Sequence, residues 1–156
     1  MVWNAARGER GDEHFGPGRV VSGTSSETPA GVAISGLTLH SQTTSHMLKT
    51  VVLARDLEVV GEGWFCEASI TSITIPATVR EIQDDAFRNC FSLATLDIPP
   101  ESRLVRIGVR AFYNTGIGQF VSPAGFRELG QGAFYNCPHL TRVWLNIGLE
   151  ELGTQN

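Results

Sequence analysis

The stretch Ile70-Thr71-Ser72-Ile73-Thr74-Ile75-Pro76-Ala77-Thr78-Val79-Arg80-Glu81-Ile82-Gln83-Asp84-Asp85-Ala86-Phe87-Arg88-Asn89-Cys90 decides the fold. Ile73 and Ile75 alternate with Ser72 and Thr74, the period of a strand with one buried face. Pro76 stops that strand, because it has no N–H to give to a neighbouring ladder. Val79 and Ile82 then turn inward on a return side. Asp84 or Asp85 is placed to cap a short helical turn that carries Ala86 and Phe87 into the interior.

The same stretch recurs in both directions. Ala111-Phe112 and Ala133-Phe134 repeat Ala86-Phe87, and Trp64-Phe65 is a degenerate copy, so the phenylalanines are spaced 22, 25 and 22 residues apart. That is the period of stacked coils. Five residues before each phenylalanine stands Val60, Ile82, Ile107 or Leu129, and three before that Leu57, Val79, Leu104 or Phe126. The strand recurs as Leu93, Leu96, Ile98 and Pro99, as Ile117, Phe120, Ser122 and Pro123, and as Leu140, Val143, Leu145 and Asn146. An earlier strand is expected over Leu48, Val51, Leu53 and Ala54. Leu149 and Leu152 open a coil that does not reach its Ala-Phe.

The pattern predicts a solenoid over residues 48–156 that ends in an incomplete repeat, of α/β-type or mainly β, with short helical or 3-10 turns. Residues 1–47 do not fit the period. They are rich in Gly, Ser and Thr and read as a tail or a degenerate N-terminal cap, with only Val32-Ala33-Ile34 and Leu37-Thr38-Leu39 strand-like.

Several positions recur for structural reasons. Asn89, Asn114 and Asn136 each follow a core phenylalanine by two residues, where their side chains are expected to hydrogen-bond turn backbone from coil to coil. Gly61, Gly108, Gly130 and Gly153 recur after the second return-side aliphatic, as a turn needing a permissive backbone demands. The loop Pro99-Pro100-Glu101-Ser102-Arg103 is two residues longer than its counterparts and should bulge outward. Cys90 and Cys137 lie two coils apart, about 10 Å at strand spacing and beyond disulfide reach, so Cys66, Cys90 and Cys137 are expected as free packing thiols.

Composition narrows the function classes. The formal net charge is −4 and 42% of residues are hydrophobic, enough for one core. No basic tract invites nucleic acid, no apolar run reaches the length of a membrane span, and residues 1–9 lack the apolar heart of a signal peptide. No cofactor motif appears. Gly116-Ile117-Gly118 lacks the rest of a phosphate loop. His14, His40 and His46 fall in the tail without metal-ligand spacing, and Cys137 with His139, two residues apart in a turn, lacks an orienting third group. The chain reads as non-enzymatic, without catalytic, cofactor or metal residues.

Written out as Leu-x-x-Ile-x-Ile-Pro-x-x-Val-x-x-Ile-Gly-x-x-Ala-Phe-x-x-Cys, the repeat resembles the BspA-like, or Treponema pallidum type, leucine-rich repeat over roughly residues 48–153. The resemblance implies a right-handed solenoid with a parallel sheet on its inner face. Members are typically surface or secreted proteins of bacteria and protists, and several are adhesins. It implies no ligand, because the motif residues are core residues.

What remains for binding is the outward side of each strand: Thr50 and Val52, Ser72 and Thr74, Thr95 and Asp97, Gln119 and Val121, Arg142 and Trp144. Most are small and polar, as on a solvated sheet. Arg142 beside Trp144 has the composition of an interface anchor, or else Trp144 covers the C-terminal end. A protein partner is the expected ligand, on a module of a surface adhesin or antigen. The alternatives are an intracellular scaffold, favoured by free cysteines and the missing signal, and a structural repeat fragment with no partner of its own.

Overall fold

The computed structural model describes residues 51 and 53–156, together with the backbone of two short strands near the N-terminus. The expectations for Leu48, Thr50, Val52, His14, His40, His46 and the tail segments 32–34 and 37–39 lie outside the described residues. Strands β1 (Trp3–Asn4) and β2 (Glu9–Arg10) pair antiparallel.

The repeat supplies two strands per coil. In chain order they are β3 (Val59–Val60), β4 (Ser72–Thr74), β5 (Glu81–Ile82), β6 (Thr95–Asp97), β7 (Arg106–Ile107), β8 (Gln119–Val121), β9 (Glu128–Leu129), β10 (Arg142–Trp144) and β11 (Glu151–Leu152). The short return-side strands join in one five-stranded parallel sheet, β11-β9-β7-β5-β3. The longer strands, expected as a single inner sheet, form two parallel pairs, β4 with β6 and β8 with β10. Between the pairs a lone N–H from Gly118 reaches the Ala94 carbonyl at 3.4 Å. The break follows the strand that leads into the enlarged loop, where Pro100 and Glu101 stand exposed.

The interior follows the offsets of the repeat. Val60, Ile82, Ile107 and Leu129, and Leu57, Val79, Leu104 and Phe126, are all buried, as are Val51, Leu53 and Ala54 upstream, although these last three do not form the strand expected of them. The phenylalanines form a continuous stack: centroids of Phe65 and Phe87 lie 5.0 Å apart, those of Phe87 and Phe112 5.0 Å, and those of Phe112 and Phe134 5.4 Å, with rings within 9° of parallel. Ala86, Ala111 and Ala133 are fully buried where the coils press together.

No described residue is helical, so the short helical and 3-10 turns expected between return strand and core phenylalanine are replaced by chained turns. The reason is local. Ala86, Arg88 and Cys90 bond back three residues, as a 3-10 turn requires, but Asp85 and Asn89 hold φ of 54° and 60° and break the helical path. The N–H groups of Asp85, Phe87 and Asn89 instead donate forward to the carbonyls of Val109, Ala111 and Tyr113 in the next coil, at 2.8–2.9 Å. Alternate amides thus close the turn and stitch the stack.

Two recurring residues play roles other than those expected. Gly61, Gly108, Gly130 and Gly153 do not sit in the left-handed region. They allow close approach: a Cβ on Gly130 would lie 2.5 Å from the Gly108 carbonyl carbon and 2.6 Å from the Val109 nitrogen. The asparagines bond one another rather than backbone. Asn114 Nδ2 donates to Asn89 Oδ1 at 3.1 Å, and Asn136 Nδ2 to Asn114 Oδ1 at 2.8 Å.

Candidate functional site

The outward strand positions come into register. Ser72 stands beside Thr95 and Thr74 beside Asp97; Gln119 stands beside Arg142 and Val121 beside Trp144. All eight are exposed. Strand alternation produces this, since the intervening Ile73, Leu96 and Phe120 point into the core. The Thr74 hydroxyl donates to Asp97 Oδ2 at 3.4 Å, so the first pair of strands carries a small polar surface. The second pair is bulkier. The Arg142 guanidinium lies 5.4 Å from the centroid of the Trp144 ring, and Trp144 is 61% exposed. A cation over an indole face favours this arrangement of the two side chains by about 0.5–1 kcal/mol at an exposed site, without removing either from solvent. Because the strands form two pairs, the candidate residues divide into a Ser/Thr/Asp half and a Gln/Val/Arg/Trp half.

The three cysteines are free. The Cys90 thiol donates to the Phe65 carbonyl at 2.9 Å inside the stack. Burial pushes its pKa well above the ordinary thiol value, and burial, seconded by the charge of Glu67, also raises that of Cys66. The Cys137 thiol donates to the Phe112 carbonyl at 3.1 Å and meets the Thr115 hydroxyl at 3.3 Å, whereas His139 is exposed. Cys137 is thus engaged in holding coil to coil.

Two further ladders come from positions the repeat aligns. On the outer side of the five-stranded sheet, Arg106 pairs with Glu81 of the preceding coil and, through Nε at 3.3 Å, with Glu128 of the following one. All three are partly exposed, so the pairs contribute little to stability, about 0–1 kcal/mol each. Directly after the core phenylalanines, Arg88, Tyr113 and Tyr135 form a second ladder; the tyrosine rings stack at 5.7 Å. Both are present at fixed offsets in the sequence, as charge alternation and as an aromatic recurring one residue after Phe.

These coils match a family model, the BspA type leucine rich repeat region, in six copies over residues 43–156. The chain belongs to the BspA type leucine-rich repeat family. Among solved structures, the T. pallidum leucine-rich repeat protein is similar, with 27% identity and a TM-score of 0.59 over 65% of this chain and 46% of that one. The pneumococcal vaccine antigen PcpA shares the fold at 21% identity, with a TM-score of 0.52 over 65% of this chain and 27% of that protein. This BspA type chain therefore spans less than half the length of either structure. No curated protein matches it. The motif residues, Ile-Pro and Ala-Phe, lie in or against the core, so membership accounts for the stack and carries nothing about the outward residues.

Proposed function

We propose that this chain is a non-enzymatic protein-interaction module whose partner docks on the outward strand face, with Arg142 and Trp144 as anchors and Gln119 and Val121 beside them. Ser72, Thr74, Thr95 and Asp97 extend the surface as its polar margin. The observation that carries the reading is the exposed Trp144 ring under the Arg142 guanidinium. Tryptophan and arginine dominate binding energy where they are held in place at a protein surface. The capping role for Trp144 has less support, since Val143, on the opposite side of the strand, is itself 41% exposed.

On a surface-displayed protein this face serves adhesion, a role in keeping with a fold shared by a protein named as a vaccine antigen. An intracellular scaffold is the second reading, favoured by three free thiols that no disulfide uses. In either setting the test is the same. Trp144→Ala is expected to weaken a demonstrated partner by about 2 kcal/mol or more, roughly thirtyfold in affinity, while lowering stability less than Phe134→Ala does. Unchanged affinity, or unfolding as severe as that of Phe134→Ala, overturns the docking role.

A further inference from the structure

The chained turns make a third face, separate from both strand surfaces. Along it run Arg88, Tyr113 and Tyr135. Arg88 lies 6.0 Å over the Tyr113 ring, and Tyr113 and Tyr135 stack 5.7 Å apart at 17° from parallel. Tyr135 is 49% exposed. Beside the stacked rings opens a groove of about 390 Å³, lined chiefly by Val109, Arg110, Tyr113, Gln131, Tyr135 and Gln155. In a chain of net charge −4, none of its described lining residues is a carboxylate.

Arg110 is the charge of the groove, and it stands in an unfavourable backbone conformation. Its φ is 52°, at a position where the other copies of the turn carry Gly63 at 62°, Asp85 at 54° and Gly132 at 60°. Glycine adopts that region freely, whereas a long side chain is strained there. Nε of Arg110 faces Asp85 Oδ1 at 3.5 Å, and no second carboxylate among the described residues pairs with this guanidinium. The positive φ belongs to the turn in every copy; what is particular to this coil is a cation at the wall of a groove of ligand size.

We propose that this groove is a glycan site that takes a carboxylate-bearing sugar, of the hexuronate type. The terminal guanidinium nitrogens of Arg110 match the sugar carboxylate in a forked, charge-assisted pair. Gln131 and Gln155 each present an amide donor and acceptor, the complement of neighbouring ring hydroxyls. Tyr113 is covered by Arg88 and Tyr135, so it is the outer face of Tyr135, the end ring of the stack, that offers a flat apolar surface to the C–H side of a pyranose. An acidic peptide satisfies Arg110, and its backbone can meet the amides, but it brings no flat C–H face to the Tyr135 ring, so the combination favours the sugar.

The probes are a disaccharide with one uronic acid, its neutral methyl ester, and an acetylated glutamate dipeptide, each titrated by saturation-transfer NMR against the full chain. The disaccharide is expected to bind in the millimolar range with transfer from tyrosine ring protons, and the ester about tenfold more weakly or worse. Arg110→Gly separates binding from folding: glycine relieves the left-handed strain, so this variant should melt at or above the wild-type temperature yet lose about tenfold or more in affinity. Tyr135→Ala should lose affinity while remaining folded. Equal binding of ester and acid, a dipeptide that binds as tightly as the sugar, undiminished binding by Arg110→Gly, or no binding to wild type at millimolar sugar overturns the assignment.

Discussion

Asn114 donates from its side-chain amide to the side-chain oxygen of Asn89, one coil back, and both residues hold φ within a degree of 60°. The two facts belong together. Asparagine is among the few non-glycine residues that tolerate the left-handed region, and the conformation aims its amide along the stack. Asn114→Ala therefore loses hydrogen bonds on both sides and strains the turn, with an expected cost of about 2–4 kcal/mol. Asn114→Gly keeps the turn unstrained and should cost about 1–2 kcal/mol less than alanine. Equal losses in denaturant unfolding would show that the backbone conformation contributes nothing.

The phenylalanine stack predicts a larger effect. Phe112 lies 5.0 Å from Phe87 and 5.4 Å from Phe134 and is fully buried, so Phe112→Ala removes a ring that two coils share. The expected loss is about 3–5 kcal/mol. Because each coil is stabilised mainly by its neighbours, this loss in a short array should appear as cooperative unfolding of the whole stack. A change below about 1 kcal/mol in chemical denaturation contradicts the stacking.

Much of this architecture is legible in the sequence because a solenoid repeats its core at fixed offsets. Val60, Ile82, Ile107 and Leu129 are buried as their spacing implies. The turn conformation is harder to read. The left-handed position two residues before phenylalanine is filled by Gly63, Asp85, Arg110 and Gly132, a set with too little in common to register as a repeat. Without it, the i to i+3 pattern looks helical. The exposed Phe91, at 66%, lies in a turn one residue longer than those following Phe65 and Phe112. The outward strand residues are legible as outward, but the division into two strand pairs depends on how the loop after Ile98 settles against Ala77, to which Arg103 donates at 2.9 Å.

Close approach at the recurring glycines makes a paired comparison. In Gly130→Ala the new methyl meets backbone of Gly108 and Val109, atoms that move only with their coil. The expected cost is about 2–3 kcal/mol or more. Gly125 is exposed, has no positive φ, and has no heavy atom within 4 Å of where an alanine methyl would stand, so Gly125→Ala should be neutral or stabilise by about 0.4–1 kcal/mol. Thermal melts of the two variants should move in clearly different degrees, and similar shifts would refute coil contact as the reason for Gly130.

The buried thiol of Cys90 gives the array a dependence on alkaline pH. In the fold, burial raises its pKa far above the ordinary value, whereas in the unfolded chain it titrates near about 8.5. Above that pH the unfolded state has released a proton that the folded state keeps, so the unfolded state binds fewer protons and stability falls as pH rises. The contribution is absent below about pH 8 and grows toward about 1.4 kcal/mol for each further pH unit. Urea midpoints between about pH 8.5 and 9.5 should fall for the wild type and fall less steeply for Cys90→Ala. The slope is the informative quantity, since the alanine variant also loses the sulfur's packing and its bond to the Phe65 carbonyl. Native Cys90 should correspondingly resist alkylation at about pH 8.5 until the chain unfolds. Parallel slopes for the two proteins, or rapid labelling of native Cys90, would show that the thiol is reached by solvent inside the stack.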